Sequence, residues 1–186
     1  MYTKTMTRQV DPKRIMIGGA GGGGAVAASI ALSDKARMRL RQYTNSEREG
    51  GDDRVFESCL LITPMLECPN RTAVDNTHSA DSASKWTGSK AHAELVGATV
   101  MSSAQADWGW EMYARGHPGG VVGCASSVEC SPSSATESQL KAAQFEHLVL
   151  LTASQDALLD EGAHAYHDCN CLDRVRARHI SKRCRR

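Results

Sequence analysis

The sequence predicts an α/β domain: a small, mostly parallel sheet flanked by helices and joined by long polar loops. Short apolar runs at residues 14–17, 55–62, 121–127 and 147–153 alternate with helix-like stretches at 25–32, 137–145 and 155–167. That alternation is the pattern of parallel strands joined by crossover helices. The length of 186 residues suits one domain. Composition pulls the other way. Ile, Leu, Val and Phe make up only 31 of the 186 residues, about 17 %, below the ~20 % level at which disorder becomes a serious reading. The alternative is therefore a largely disordered or poorly packed chain. The net charge of +1 lacks the self-repulsion that usually accompanies disorder.

The elements follow in chain order. Residues 14–17 form a short strand, and residues 25–32 an alanine-rich helix. Residues 42–53 are charged and polar and read as a loop. Residues 55–62 form a strand stopped by Pro64. Residues 67–89, rich in Asn, Thr, Ser and Asp, form a long surface loop. A helical turn at 90–95 then feeds a strand-like run at 96–101. Residues 107–117 hold Trp108, Trp110 and Tyr113 as a satellite core or a stacking patch. Pro118-Gly119-Gly120 turns the chain into a strand at 121–127, and a serine-rich linker at 131–138 carries Pro132. The strongest buried strand is 147–153, followed by Ser154 as the N-cap of a helix with Asp156 in its first turn.

The most informative segment is the glycine stretch, with six glycines in the seven positions from Gly18 to Gly24. Gly19-Ala20-Gly21-Gly22-Gly23-Gly24 satisfies G-x-G-x-x-G, and Gly18, Gly21 and Gly24 satisfy G-x-x-G-x-x-G. Glycines there permit a tight turn and close approach to a pyrophosphate, and the following helix offers its first amides to the anion. The favoured function is thus a soluble domain binding a nucleotide, NAD(P) among them, or another phosphate-bearing small molecule through Gly18, Gly19, Gly21, Gly22 and Gly24. Oxidoreductase or transferase activity would follow. No acidic residue closes a second strand about twenty positions on. Two other readings compete: a targeting segment, with Lys4, Arg8, Lys13 and Arg14 ahead of uncharged residues 15–33, and a flexible linker.

Other candidates lie elsewhere. Cys124, at the expected end of a strand, is a candidate nucleophile, with His117 or His147 as its base. No G-x-S-x-G elbow is present, and no arginine follows Cys124 at phosphatase spacing. His164, His167, Cys169 and Cys171, with His179 and Cys184 beyond them, have the donor types that hold Zn²⁺. The two histidines are three apart and share a helix face, whereas Cys169-x-Cys171 is shorter than a zinc knuckle. Seven cysteines, an odd number, argue against a closed disulfide framework.

Charge divides the chain in three. Residues 1–41 carry +6, residues 42–172 carry −11 and residues 173–186 carry +6. The expected organisation is a basic N-terminal segment at 1–13, one α/β domain at 14–172 and a basic C-terminal tail at 173–186. The runner-up function is a non-enzymatic, zinc-stabilised module whose tail contacts nucleic acid or an acidic protein partner. No membrane span is expected. The expected location is cytoplasmic, or exported or organellar if residues 1–33 are a targeting segment.

Overall fold

The structure, a computed structural model, describes residues 14–44, 54–68, 103–143, 145–154, 156, 158–170 and 176–182. The expected elements at 90–95 and 96–101 and most of the loop at 67–89 lie outside the described residues. Four strands form one sheet in the order β1-β2-β3-β4, every neighbouring pair parallel. They are β1 (Met16–Ala20), β2 (Ser58–Ile62), β3 (His147–Ala153) and β4 (Arg176–Lys182). The register aligns Gly18 with Leu60, Leu60 with Val149 and Val149 with Arg178. The helices are α1 (Gly22–Leu32), α2 (Asp34–Thr44), α3 (Ser103–Ala114), α4 (Gly120–Ala125), α5 (Glu137–Ala143) and α6 (Leu159–Asn170). This is the predicted α/β class.

Each strand follows from its residues. β3 alternates buried and half-buried positions along its length, with Leu148, Leu150 and Thr152 turned inward. Cys59 and Leu61 of β2 lie level with Leu148 and Leu150, so the same face of both strands is buried. On that face α1 presents Ala27, Ala28, Ala31 and Leu32 to the same core. Alanine lets a helix approach closely and costs nothing in helix propensity.

β1 departs from expectation in an informative way. The strand runs through Gly18 and Gly19 instead of ending at Ile17. A Cβ on Gly18 would lie 2.7 Å from the Leu60 carbonyl oxygen, so this glycine serves strand packing. Three of the seven positions from Gly18 to Gly24 are therefore sheet.

α1 ends where Arg37 of α2 folds back over it. Arg37 is 4 % exposed, and its Nη1 donates to the carbonyls of Ala31 (3.1 Å) and Leu32 (3.3 Å). Asp34 pairs with the same guanidinium. A cation over the last carbonyls satisfies acceptors that the helix itself cannot.

Three further expectations change. Residues 121–127 read as a strand, but Gly120–Ala125 is helical. Gly119 and Gly120, with φ of 87° and 61°, make the left-handed turn that starts it. α6 begins at Leu159, later than expected, because Asp156 forms the preceding turn: its Oδ1 accepts the Leu158 N–H at 2.9 Å. The basic stretch near the C-terminus supplies β4 through Arg176–Lys182 instead of standing apart from the sheet. A second cluster joins Cys68, Trp110, Ala114, Cys124 and Cys130, so Trp110 takes the satellite-core role while Trp108 is exposed. Among the described residues no helix is long and apolar enough to cross a membrane.

Candidate active site

Parallel sheets carry their functional groups at the carboxyl ends of the strands. Here the β1–α1 junction stands out. The chain leaves β1 at Ala20 and enters α1 at Gly22, so a single residue, Gly21, makes the whole turn. Its backbone sits at φ 52°, ψ −123°, a region that costs any residue with a side chain.

Hydrogen bonds hold this turn from both sides. The Gly21 N–H donates to the Ile62 carbonyl at 3.0 Å. The Gly21 carbonyl accepts from Gly24 (3.0 Å), Ala25 (3.2 Å) and Met65 (3.2 Å). The strand and the helix then approach so closely that a Cβ on Gly19 would collide with the Gly23 backbone. A Cβ on Gly24 would lie 2.9 Å from the Pro64 Cβ. At Gly21, Gly22 and Gly23 a Cβ would meet nothing within 4 Å. The turn is thus a sharp projection, crowded behind and open in front, headed by the first amides of α1.

Asp156, in the turn after β3, stands at the same end of the sheet. Its N–H donates to the Ala153 carbonyl at 3.1 Å. Glu161, on the first turn of α6, is 3 % exposed, and its Oε2 accepts the N–H groups of Leu66 (2.6 Å) and Glu67 (3.0 Å). Burial pushes the Glu161 carboxyl up to about 8. The two backbone N–H groups pull it down by less than that, and Glu67 and Asp156 add to the rise. His147 opens β3, at the amino end of the sheet and away from this edge.

A model of the alpha/beta hydrolase fold family matches residues 1–180. The chain belongs to the alpha/beta hydrolase fold family. Solved structures agree on the fold. Carboxyl esterase 2 from the mycorrhizal fungus Tuber melanosporum superposes with a TM-score of 0.65 at 17 % identity, covering 96 % of this chain and 46 % of that one. A thermostable esterase from Pseudomonas putida gives 0.62 at 19 % identity, covering 95 % and 43 %. A fungal esterase from Rhizomucor miehei gives 0.60 at 13 %, covering 94 % and 44 %. The chain spans a little under half the length of these structures. Among curated proteins, no sequence matches it.

Membership of this family overturns the nucleotide-binding reading, and with it the oxidoreductase or transferase activity and the NAD(P) that it implied. Gly18 and Gly19 are strand residues, Gly21 is a one-residue turn, and Gly22 and Gly24 lie within α1. No glycine-rich loop remains to wrap a pyrophosphate. The template matched because six glycines in seven positions satisfy almost any glycine spacing.

Membership of the family also replaces the zinc-stabilised module as the reading of this chain. His164, His167 and Cys169 lie on α6 and Cys171 lies outside the described residues. Among the described residues no group of three His, Cys, Asp or Glu side chains comes together to hold a metal. Cys124 is fully buried in α4 and disulfide-bonded to Cys130, which leaves no thiolate to attack. His117 lies in the turn before α4, its Nδ1 2.8 Å from the Pro118 carbonyl oxygen.

The β1–α1 turn is hard to see in the sequence because glycine stands at its apex, where a G-x-S-x-G search expects serine. The surviving signal was a pair of glycines four apart, Gly19 and Gly23, straddling the change from strand to helix.

Proposed function

We propose that the chain provides a carboxylic-ester site of hydrolase type, built at the β1–α1 elbow, and that Gly21 occupies the position of the nucleophile. In hydrolases of this fold the nucleophilic serine sits within G-x-S-x-G on a strained strand-to-helix turn, and the N–H of the next residue helps bind the oxyanion. The observation that carries the reading is Gly21 at φ 52°, ψ −123°, between β1 and α1, with Gly19 packed on Gly23. Gly19-Ala20-Gly21-Gly22-Gly23 is that motif with glycine in the serine's place. The names of the neighbours, a carboxyl esterase and an esterase, support a carboxylic ester as the substrate class.

Two consequences follow for mechanism. The Gly22 amide, at the positive end of α1, faces the position where an ester carbonyl gains negative charge during attack. Gly21 offers no hydroxyl, so no acyl-enzyme forms at this position. The elbow recognises the carbonyl, and any hydrolysis there uses water directly. Asp156 follows the elbow in the chain order that the fold gives to the acidic partner of its triad.

The test installs a nucleophile. Gly21→Cys places a thiol at a helix N-terminus, where its pKa falls. With p-nitrophenyl acetate this variant is expected to be acetylated at residue 21 at least tenfold faster than a Val26→Cys control on the exposed side of α1, the site being read by peptide mass. The unaltered chain is expected to show no acetylation burst. Equal rates for the two variants would sink the proposal.

A further inference from the structure

We propose that the cavity lined by α1, α6, residues 132–140 and the sheet binds a small apolar amine, its ammonium group paired with Glu161. The cavity is about 240 Å³. Its walls are chiefly apolar, with Leu61, Leu148, Leu150 and Phe145 among the lining side chains and Ala28 and Ala31 leaving space above them. Apolar cavities of roughly 150 Å³ accept benzene. This one therefore has room for a ring or a six-carbon chain together with a polar head.

The polar group that selects the head is Glu161. Its Oε2 is committed to the Leu66 and Glu67 amides, whereas its Oε1 is buried and makes no hydrogen bond among the described residues. A structural role for this carboxyl, pinning the chain after β2, uses one oxygen and leaves the other for a ligand.

The surroundings choose the sign of the ligand's charge. Glu67 from the segment after β2 and Asp156 from the turn after β3 both act on Glu161 as like charges. His164, one turn further along α6, is exposed and also lines the cavity, and among the described residues no Lys or Arg lines it. An anion would be repelled, while a primary ammonium brings three donors and the missing positive charge. Burial keeps Glu161 protonated up to about pH 8. Binding R–NH₃⁺ therefore expels that proton and leaves an ammonium–carboxylate pair. The proposal uses no part of the elbow, so it stands or falls separately from the ester site.

Calorimetry on the full chain with benzylamine and benzyl alcohol tests it. Benzylamine is expected to bind at least tenfold more tightly than benzyl alcohol at pH 8.5. Its affinity should rise roughly tenfold per pH unit between pH 6 and 8, as one proton is released. Glu161→Gln should remove the preference for the amine and its pH dependence while benzyl alcohol still binds. Ala31→Phe should abolish binding of both, with Leu140→Trp as a second filling variant should Ala31→Phe fail to fold. Equal affinities, a preference that survives in Glu161→Gln, or no binding by either compound would each overturn the proposal.

Discussion

Helix α1 serves two regions that are specified in opposite ways. Its first turn forms the elbow, where everything depends on side chains being absent: Gly19 against Gly23, Gly24 against Pro64, and Gly21 at a backbone angle hostile to a Cβ. Its middle, through Ala28 and Ala31, lines the cavity. There one side chain on the facing helix, Glu161, supplies a buried carboxyl among apolar walls. Backbone geometry is rigid and insensitive to pH, whereas a buried carboxyl is a chemical group that titrates. The two regions should therefore respond differently to the same kinds of perturbation.

The largest expected effect falls on the elbow. Gly19→Val drives a branched side chain into the Gly23 backbone, which no rotamer relieves, because the clash begins at Cβ. Overpacking of this kind costs roughly 1–3 kcal/mol when side chains can yield, and more when only backbone can. A loss of at least about 3 kcal/mol in urea unfolding is expected. A loss under about 1 kcal/mol would mean that β1 and α1 are not in close contact, and the elbow assignment would go with it.

Per pH unit the cavity should give a smaller effect, and one that depends on pH. Folded Glu161 keeps its proton to about pH 8, whereas an unfolded glutamate releases it near 4.5. Between those values the native state binds the extra proton, so stability falls as pH rises, by at most about 1.4 kcal/mol per unit. Below 4.5 both states are protonated, and above about 8 both are ionised, so the slope vanishes at each end. Glu161→Gln should flatten the slope between pH 5 and 8 in a series of urea titrations. A variant that keeps the wild-type slope would show that another group carries it.

The same contrast explains what could be read from sequence. β3 was legible residue for residue, because a seven-residue apolar run with a turn after it has few alternatives. α4 was not: Gly-Val-Val-Gly-Cys-Ala favours a strand locally, and only the left-handed Gly119–Gly120 turn makes it helical. The glycine stretch stands out in the sequence but its chemistry does not, since glycine spacing records that the backbone is crowded or sharply bent without recording what crowds it. Glu161 left a fainter trace. It lies three residues after Leu158 and four before Ala165, on the stripe of α6 that faces the core, yet its neighbours Asp160 and Asp156 make the segment look solvated. Cys124 was read as a reactive residue because its partner Cys130, six positions on, is indistinguishable in sequence from another buried thiol.

The smallest expected effect is the most discriminating for the elbow. Gly21→Ala puts a Cβ into open space, so it probes conformation alone. Holding a non-glycine residue at this angle costs about 1–3 kcal/mol. The reduced freedom of the unfolded chain returns about 0.4–1 kcal/mol of that. A net loss near 1 kcal/mol follows, or a fall of about 2–4 °C in melting temperature for a chain of this size. Gly22→Ala, one position on, meets equally open space within the helix and should be neutral or slightly stabilising. If the two substitutions behave alike, Gly21 does not hold the strained angle. If Gly21→Ala alone is costly, the chain maintains a bent, side-chain-free elbow where its fold ordinarily places a reactive serine.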